Sequence, residues 1–236
     1  ILRSQDSTLT LTQHRSGINT DKVIKLFKKK DIEGYYTWYK KRTERSFKKI
    51  NDDIGYITLQ NITKDDLDPL KEEFKNTKGI IVDIRNYPST FVPFTLGNYL
   101  NDNRTQFVKF TQGSTKNPGE FVFRDGAKVG LSRGWSYKGQ TVIVLVNEIS
   151  QSQAEYTAMA FKAGDKTTII GSTTAGADGN VSRISLPGNL GTMISGIGVY
   201  YPDGTETQRV GIVPDIEVKP TIEGVKNGRD EVLERA

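Results

Sequence analysis

Two serines and a glutamate stand at the spacing Ser150-Gln-Ser152-Gln-Ala-Glu155, directly after the apolar run Thr141-Val-Ile-Val-Leu-Val146. A strand that turns sharply into a helix holds a side chain out at the end of its sheet. The first amides of the helix lack intrahelical acceptors and can stabilise an oxyanion. On this reading Ser152 is a nucleophile. The same residues also spell a helix start, with Ser150 or Ser152 as N-cap of a helix beginning near Ala154 and Glu155 closing a capping box three residues after Ser152. The two readings are compatible, and the segment alone leaves both open.

Other chemistry is scarce. The chain has one histidine, His14, and no cysteine, so disulfides and thiolate ligands are excluded, and a first-row metal site would have to be mostly carboxylate. No clustered carboxylate motif occurs, and there is neither a Walker-type nor a dinucleotide glycine fingerprint. No metal or organic cofactor is expected. His14 sits on an alternating segment far upstream and reads as a surface or packing residue. Asp178, in Gly176-Ala-Asp-Gly-Asn180, makes a turn between glycines at its simplest. A carboxylate becomes a useful base for an alcohol only if burial raises its pKa.

These residues need a scaffold, and 236 residues with 35% hydrophobic content suffice for one large domain or a domain with an appendage. Much of the net charge of +5 falls between Lys22 and Lys49. There Lys28-Lys-Lys30 precedes Tyr35-Tyr-Thr-Trp-Tyr39, which reads as a solvated tether whose aromatics dock on the main domain; no nucleic-acid signature accompanies it. No apolar run approaches the roughly 20 residues that span a bilayer, and the N-terminus lacks a signal-peptide plan.

Periodicity supplies the elements. Residues 7–13 alternate as one strand, and from Asp21 to Ile50 the pattern is helical or irregular. From Ile54 an α/β rhythm follows: strand 54–59, helix 64–76, strand 79–84, helix 91–100, strands 104–110 and 119–123, strand 141–146, helix 154–162 and strand 167–171. Short apolar runs alternating with helices favour parallel pairing. The last third is rich in glycine, β-branched residues and turns, and ends in a polar helix from about Arg229.

Four features occur in order: Gly55-Tyr-Ile57, Ile81-Val-Asp-Ile-Arg-Asn-Tyr-Pro-Ser89, the Ser-x-Ser-x-x-Glu turn, and Gly211-Ile-Val-Pro-Asp-Ile216. Together, over roughly residues 50–236, they resemble the C-terminal processing (tail-specific) serine peptidases and their tricorn-like relatives. The resemblance implies an α/β fold with a ClpP/crotonase-like core of repeated ββα-type units, a polypeptide substrate, and location in a bacterial periplasm or envelope. It implies that Ser152 is the nucleophile and that the amides of Gln153 and Ser89 form the oxyanion hole; Glu155 reads as a cap or a supporting partner in the site's hydrogen bonding rather than as the base. Ser89 departs from the family's usual glycine. The family's base, a lysine about twenty-five residues after the nucleophile, falls here on Ala177, and the tricorn-like histidine position falls on Thr58 and its neighbours. Either another group such as Asp178 or a lysine activates Ser152, or the fold persists as a non-catalytic peptide-binding protein. An acyl-CoA enzyme of the crotonase type would share architecture only. Asp83 with Arg85, and Asp215, read as structural.

The resemblance also gives the N-terminus a meaning. Thr8-Leu-Thr-Leu-Thr-Gln13 followed by Arg15-Ser-Gly17 is similar to the last strand of a PDZ domain, a module that binds peptide C-termini by strand addition. The expected division is 1–20 as the end of a PDZ-like domain, 21–50 as a basic linker and 51–236 as the peptidase core.

Overall fold

The computed structural model describes residues 6–27, 43–131 and 136–236. The chain divides into two units, Ile1–Lys40 and Lys41–Ala236. In the first, β1 (Thr8–Arg15) and β2 (Ile18–Lys25) form an antiparallel hairpin in which Arg15 pairs with Ile18. Ser16 (φ 52°) and Gly17 (φ 79°) both take positive φ, as a two-residue turn matched to the strands' twist requires. The expectations of a single strand over 7–13 and of helical or irregular structure from Asp21 are therefore corrected: Ser16-Gly17 is a hairpin turn and Asp21–Lys25 is strand. Every residue of β2 is exposed, so no buried face imprints an alternation on its sequence. The lysine- and aromatic-rich stretch through Tyr39 lies outside the described residues.

The second unit begins with β3 (Phe47–Lys49) and β4 (Ile54–Thr58), then a 3-10 turn, Lys64–Asp66, that opens α1 (Leu67–Phe74). Next come β5 (Gly79–Asp83), α2 (Pro93–Leu100), β6 (Thr105–Gln106), β7 (Lys109–Gly113), β8 (Phe121–Asp125) and β9 (Lys128–Val129). The expected strand 104–110 is thus two short ones. They are followed by β10 (Thr141–Val146), α3 (Gln153–Lys162), β11 (Thr167–Gly171), β12 (Val181–Leu186), β13 (Leu190–Ser195), β14 (Val199–Tyr200) and β15 (Ile216–Glu217). Helices α4 (Ile222–Lys226) and α5 (Glu231–Arg235) complete it.

A six-stranded sheet in the order β15-β11-β10-β5-β4-β3 organises this unit. All its pairings are parallel except that of β3 with β4. Its central strands are apolar on both faces because both are covered. Ile80, Val82, Val144 and Ile169 pack with Leu70 and Phe74 of α1, Leu96 of α2 and Phe161 of α3, while Ile81, Leu145 and Ile170 pack with Val232 of α5. At the end of β11, Gly171 has φ +135°, and a Cβ there would lie 1.9 Å from the Val146 carbonyl oxygen. Only glycine lets the chain leave the sheet at that point. Beside the sheet, β7 pairs with β8 and β14, while β12 and β13 form an exposed hairpin.

Candidate active site

The apolar strand β10 stops at Val146, and the chain reverses through residues 147–152 into α3. Ser150 is fully buried. Its hydroxyl donates to the Ile84 carbonyl (2.9 Å) and accepts from the Asn147 amide (3.1 Å), which ties the ends of β5 and β10 together. Its carbonyl accepts from the Ala175 amide (3.0 Å). Ser150 is thus committed to structure.

Ser152 takes the N-cap position of α3 with φ 53° and ψ −115°. The usual N-cap is extended. For a residue with a Cβ, these angles cost about 1–3 kcal/mol and persist only where the surroundings enforce them. The turn is enforced by Glu155, which is fully buried. Oε2 accepts from the amides of Ser152 (2.9 Å) and Ala177 (2.9 Å); Oε1 accepts from the Gly176 amide (2.7 Å) and the Thr174 hydroxyl (2.5 Å). The Thr174 hydroxyl accepts in turn from the Ile212 amide (2.7 Å), so its proton points at Glu155. One carboxyl group thereby joins the serine turn to the 174–177 loop, and all four of its partners are donors.

Glu155→Gln would aim an amide NH₂ at two N–H groups. Two hydrogen bonds are lost and donors are left unpaired, so a destabilisation of about 2–4 kcal/mol is expected, read as a lower urea midpoint at unchanged m-value.

The loop that Glu155 holds carries Asp178, which is 4% exposed. Its Oδ1 accepts from the Gly179 amide (2.7 Å), while Oδ2, buried, has no partner among the described residues. Burial pushes the carboxyl up to about 7; the Gly179 hydrogen bond opposes the rise and the charge of Glu155 adds to it. Asp178, Ser152 and Gln153 line one cavity of about 330 Å³. Ser152, in a strained turn, and Asp178, a buried acid whose carboxyl is pushed up to about 7, therefore line the same cavity. A buried acid raised towards neutrality in the same cavity as a hydroxyl is a candidate base.

The expected oxyanion donors are placed differently from one another. Gln153 begins α3, and its backbone amide meets no acceptor among the described residues; its side-chain amide donates to the Thr90 carbonyl (2.9 Å), drawing the loop after β5 towards the helix start. Ser89 does not present its amide, a correction to the expectation: the N–H donates to the Leu59 carbonyl (2.9 Å), and the hydroxyl donates to the Ile62 carbonyl (2.6 Å). His14 is an exposed residue of the N-terminal hairpin, with Nδ1 2.7 Å from the Asn19 side chain.

The remaining carboxylates of the motifs hold the frame. Arg85 pairs with Asp83 and Asp230, and Tyr56 donates to Asp83 (2.8 Å). The hydrogen bond from Arg85 holds the Asp230 carboxyl below its ordinary value, although partial burial opposes this. Asp215 accepts from the Ile169 amide (2.8 Å) and pairs with Lys162 (2.5 Å), which fixes the approach to β15. Sequence reasoning passed over the cavity's aromatic wall, Tyr87, Phe91, Phe110 and Tyr156. For Tyr156 the signal was available, since it lies four residues after Ser152 and so on the same helix face. Among the described residues no helix is long and apolar enough to cross a membrane, and no group of three or more potential metal ligands occurs.

The chain is 28% identical, over 95% of its length, to a carboxy-terminal-processing protease of Bartonella bacilliformis. It spans about half the length of that relative, 50%. Among solved structures it is similar to a peptidase candidate from Parabacteroides merdae (TM-score 0.69, 24% identity, covering 80% of this chain and 62% of that one). It is also similar to mature CPAF complexed with lactacystin (TM-score 0.70, 15% identity, covering 99% and 67%). Similarities at these identities support the mixed α/β fold. The family model of peptidase family S41 matches residues 53–218, which takes in the strained serine turn, the Asp178 loop and the Gly211–Ile216 element, and on that match the chain belongs to peptidase family S41.

Proposed function

We propose that this chain is the catalytic part of a serine endopeptidase of the carboxy-terminal-processing kind, acting on polypeptides without a metal or organic cofactor. The observation that carries the reading is the shared cavity of Ser152, in a strained turn, and Asp178, buried with one oxygen unpartnered. Ser152 Oγ attacks the scissile carbonyl while Asp178 Oδ2 takes its proton. The Gln153 amide receives the developing oxyanion, a contribution of about 3–4 kcal/mol for one such donor. Asp178 then protonates the leaving amine; the same carboxylate deprotonates a water that attacks the acyl carbonyl, and as the bond to Ser152 Oγ breaks Asp178 returns that proton to Oγ. Asp178 thus stands in for the lysine that Ala177 replaces. Its value near 7 suits a base that must be ionised in attack and protonated in leaving-group departure.

The same reading extends to the surroundings. The core is taken as ClpP/crotonase-like, and the β1–β2 hairpin as part of a PDZ-like domain. The exposed Ile18, Val23 and Phe27 support the latter, since a two-stranded ribbon is marginal without further partners. Residues beyond the hairpin to about 50 then act as a tether, and the protein works in a bacterial periplasm or envelope.

The test is labelling by a fluorophosphonate probe. Wild type is expected to be labelled, and labelling is expected to disappear in Ser152→Ala. Ser150→Ala is expected to retain it with reduced thermal stability, because Ser150 is bonded into the frame. An unlabelled wild type that still binds peptides would favour the non-catalytic alternative.

A further inference from the structure

The cavity at Ser152 is walled by rings whose arrangement the hydrolytic reading does not use. Tyr156 lies one turn along α3 from Ser152. Its ring is nearly parallel to that of Phe91 (centroids 6.0 Å apart, planes at 20°) and to that of Phe110 (6.3 Å, 19°). Phe107 packs edge-on behind it (5.1 Å, 69°). Tyr156 and the two rings stacked against it come from separate parts of the chain: α3, the loop after β5, and β7. Ile197 and Val199 add aliphatic surface.

We infer that this wall is a slot selecting an aromatic side chain at the residue whose carbonyl Ser152 attacks. The inference rests on the proposed hydrolytic reading, because it identifies that residue by its nearness to Ser152. Three observations carry it. First, rings stacked on one another leave outer faces and edges to a further ring, the geometries aromatic pairs prefer. Second, Phe91 is 53% exposed and Tyr87 41% exposed at this cavity. Large apolar groups left open around a concave site are what a ligand covers. Third, among the described residues no cationic side chain lines the cavity, and Asp178 is the one carboxyl group that does. An acidic side chain would find no partner there and would meet Asp178 in its ionised form; a basic one would occupy the group needed as base. A small side chain would leave the rings wet. The volume of about 330 Å³ is at the lower end of the range of ligand pockets, roughly 300–1,000 Å³, and suits one large side chain with its flanking backbone rather than an extended ligand.

The experiment separates the slot from the chemistry. Terminally blocked alanine hexapeptides carrying Phe, Leu, Ala or Glu at one central position are titrated into Ser152→Ala. The Phe peptide is expected to bind about tenfold or more tightly than the Ala peptide and more tightly than the Leu peptide, with Glu weakest. Adding Phe91→Ala, at a half-exposed position that tolerates truncation, or Tyr156→Leu, which keeps an apolar side chain on the helix, is expected to cut the Phe-to-Ala ratio to about threefold or less. Wild-type enzyme is expected to cut after Phe, read by mass spectrometry. Equal affinities, or a Phe preference that survives both ring substitutions, would overturn the slot. Cleavage after Ala or Glu in preference to Phe would overturn it while leaving the hydrolytic reading intact. A ring-dependent Phe preference in Ser152→Ala beside an uncleaving wild type would defeat the hydrolytic reading and, with it, the assignment of the slot to an attacked residue, leaving only an aromatic-binding cavity.

Discussion

Replacing Asp178 by asparagine is expected to lower peptide hydrolysis by roughly two to four powers of ten and, at pH 8, to leave a more stable protein. The loss follows from removing the general base. The gain follows from the cost of keeping a charge where Asp178 sits. Its carboxyl is raised from 3.8 to about 7 in the folded protein, chiefly by burial. Between about pH 4 and pH 7 the folded state therefore holds a proton that the unfolded chain has released, so the stability contributed by the protonated form is complete below pH 4 and fades as pH rises through 7. By pH 8 the ionised group opposes folding by at most about 4 kcal/mol. Asparagine keeps the acceptor for the Gly179 amide and carries no charge, but its NH₂ replaces an oxygen that already lacks a partner. The net gain should therefore be about 1–2 kcal/mol at pH 8 and vanish near pH 4. Urea denaturation of both proteins at the two pH values would check it. A variant less stable at pH 8 would mean that Asp178 is a structural turn residue.

Ser152→Gly and Ser152→Ala are both expected to lose hydrolysis by about 10⁴-fold or more, since the remaining groups of a nucleophile–base unit do little alone. Their stabilities separate the two roles that a serine in this position can play. A serine that merely caps α3 makes alanine the costlier replacement, by about 1 kcal/mol, and glycine nearly neutral. A serine strained at φ 53° and ψ −115° makes glycine stabilising, because glycine enters that region freely. Set against the extra freedom glycine gives the unfolded chain, the expected gain for Ser152→Gly is about 1 kcal/mol, with alanine close to wild type. Denaturation midpoints for the three proteins decide it. Such strain is what the proposed nucleophile turn calls for, and Glu155, which accepts from the Ser152 amide, helps to sustain it.

Legibility in the sequence followed burial. Strands β10 and β11 could be bounded to the residue, because both faces are covered and their apolar runs end where the cover ends. The β1–β2 hairpin was half missed: its second strand buries nothing, and its register is set by the positive φ of Ser16 and Gly17 rather than by any hydrophobic pattern. Ser152 and Glu155 were readable from spacing, since helix starts have local rules. The raised carboxyl of Asp178 was not, because it arises from burial by parts of the chain far away in sequence, and only the absence of a lysine at Ala177 pointed there. Ser89 shows the converse. A motif position implied a free amide, but the Leu59 carbonyl, thirty residues away, takes it.

The most direct test of the Ser152–Asp178 pair is the rate of fluorophosphonate inactivation as a function of pH, in wild type and in Asp178→Asn. This reads nucleophile activation without substrate binding. The wild-type rate should rise through an apparent pKa near 7 and level off above it, whereas Asp178→Asn should react at least about a hundredfold more slowly at pH 8 and show no step near 7. Equal rates with the same pH dependence in both proteins would contradict the pairing and assign the activation of Ser152 to another group.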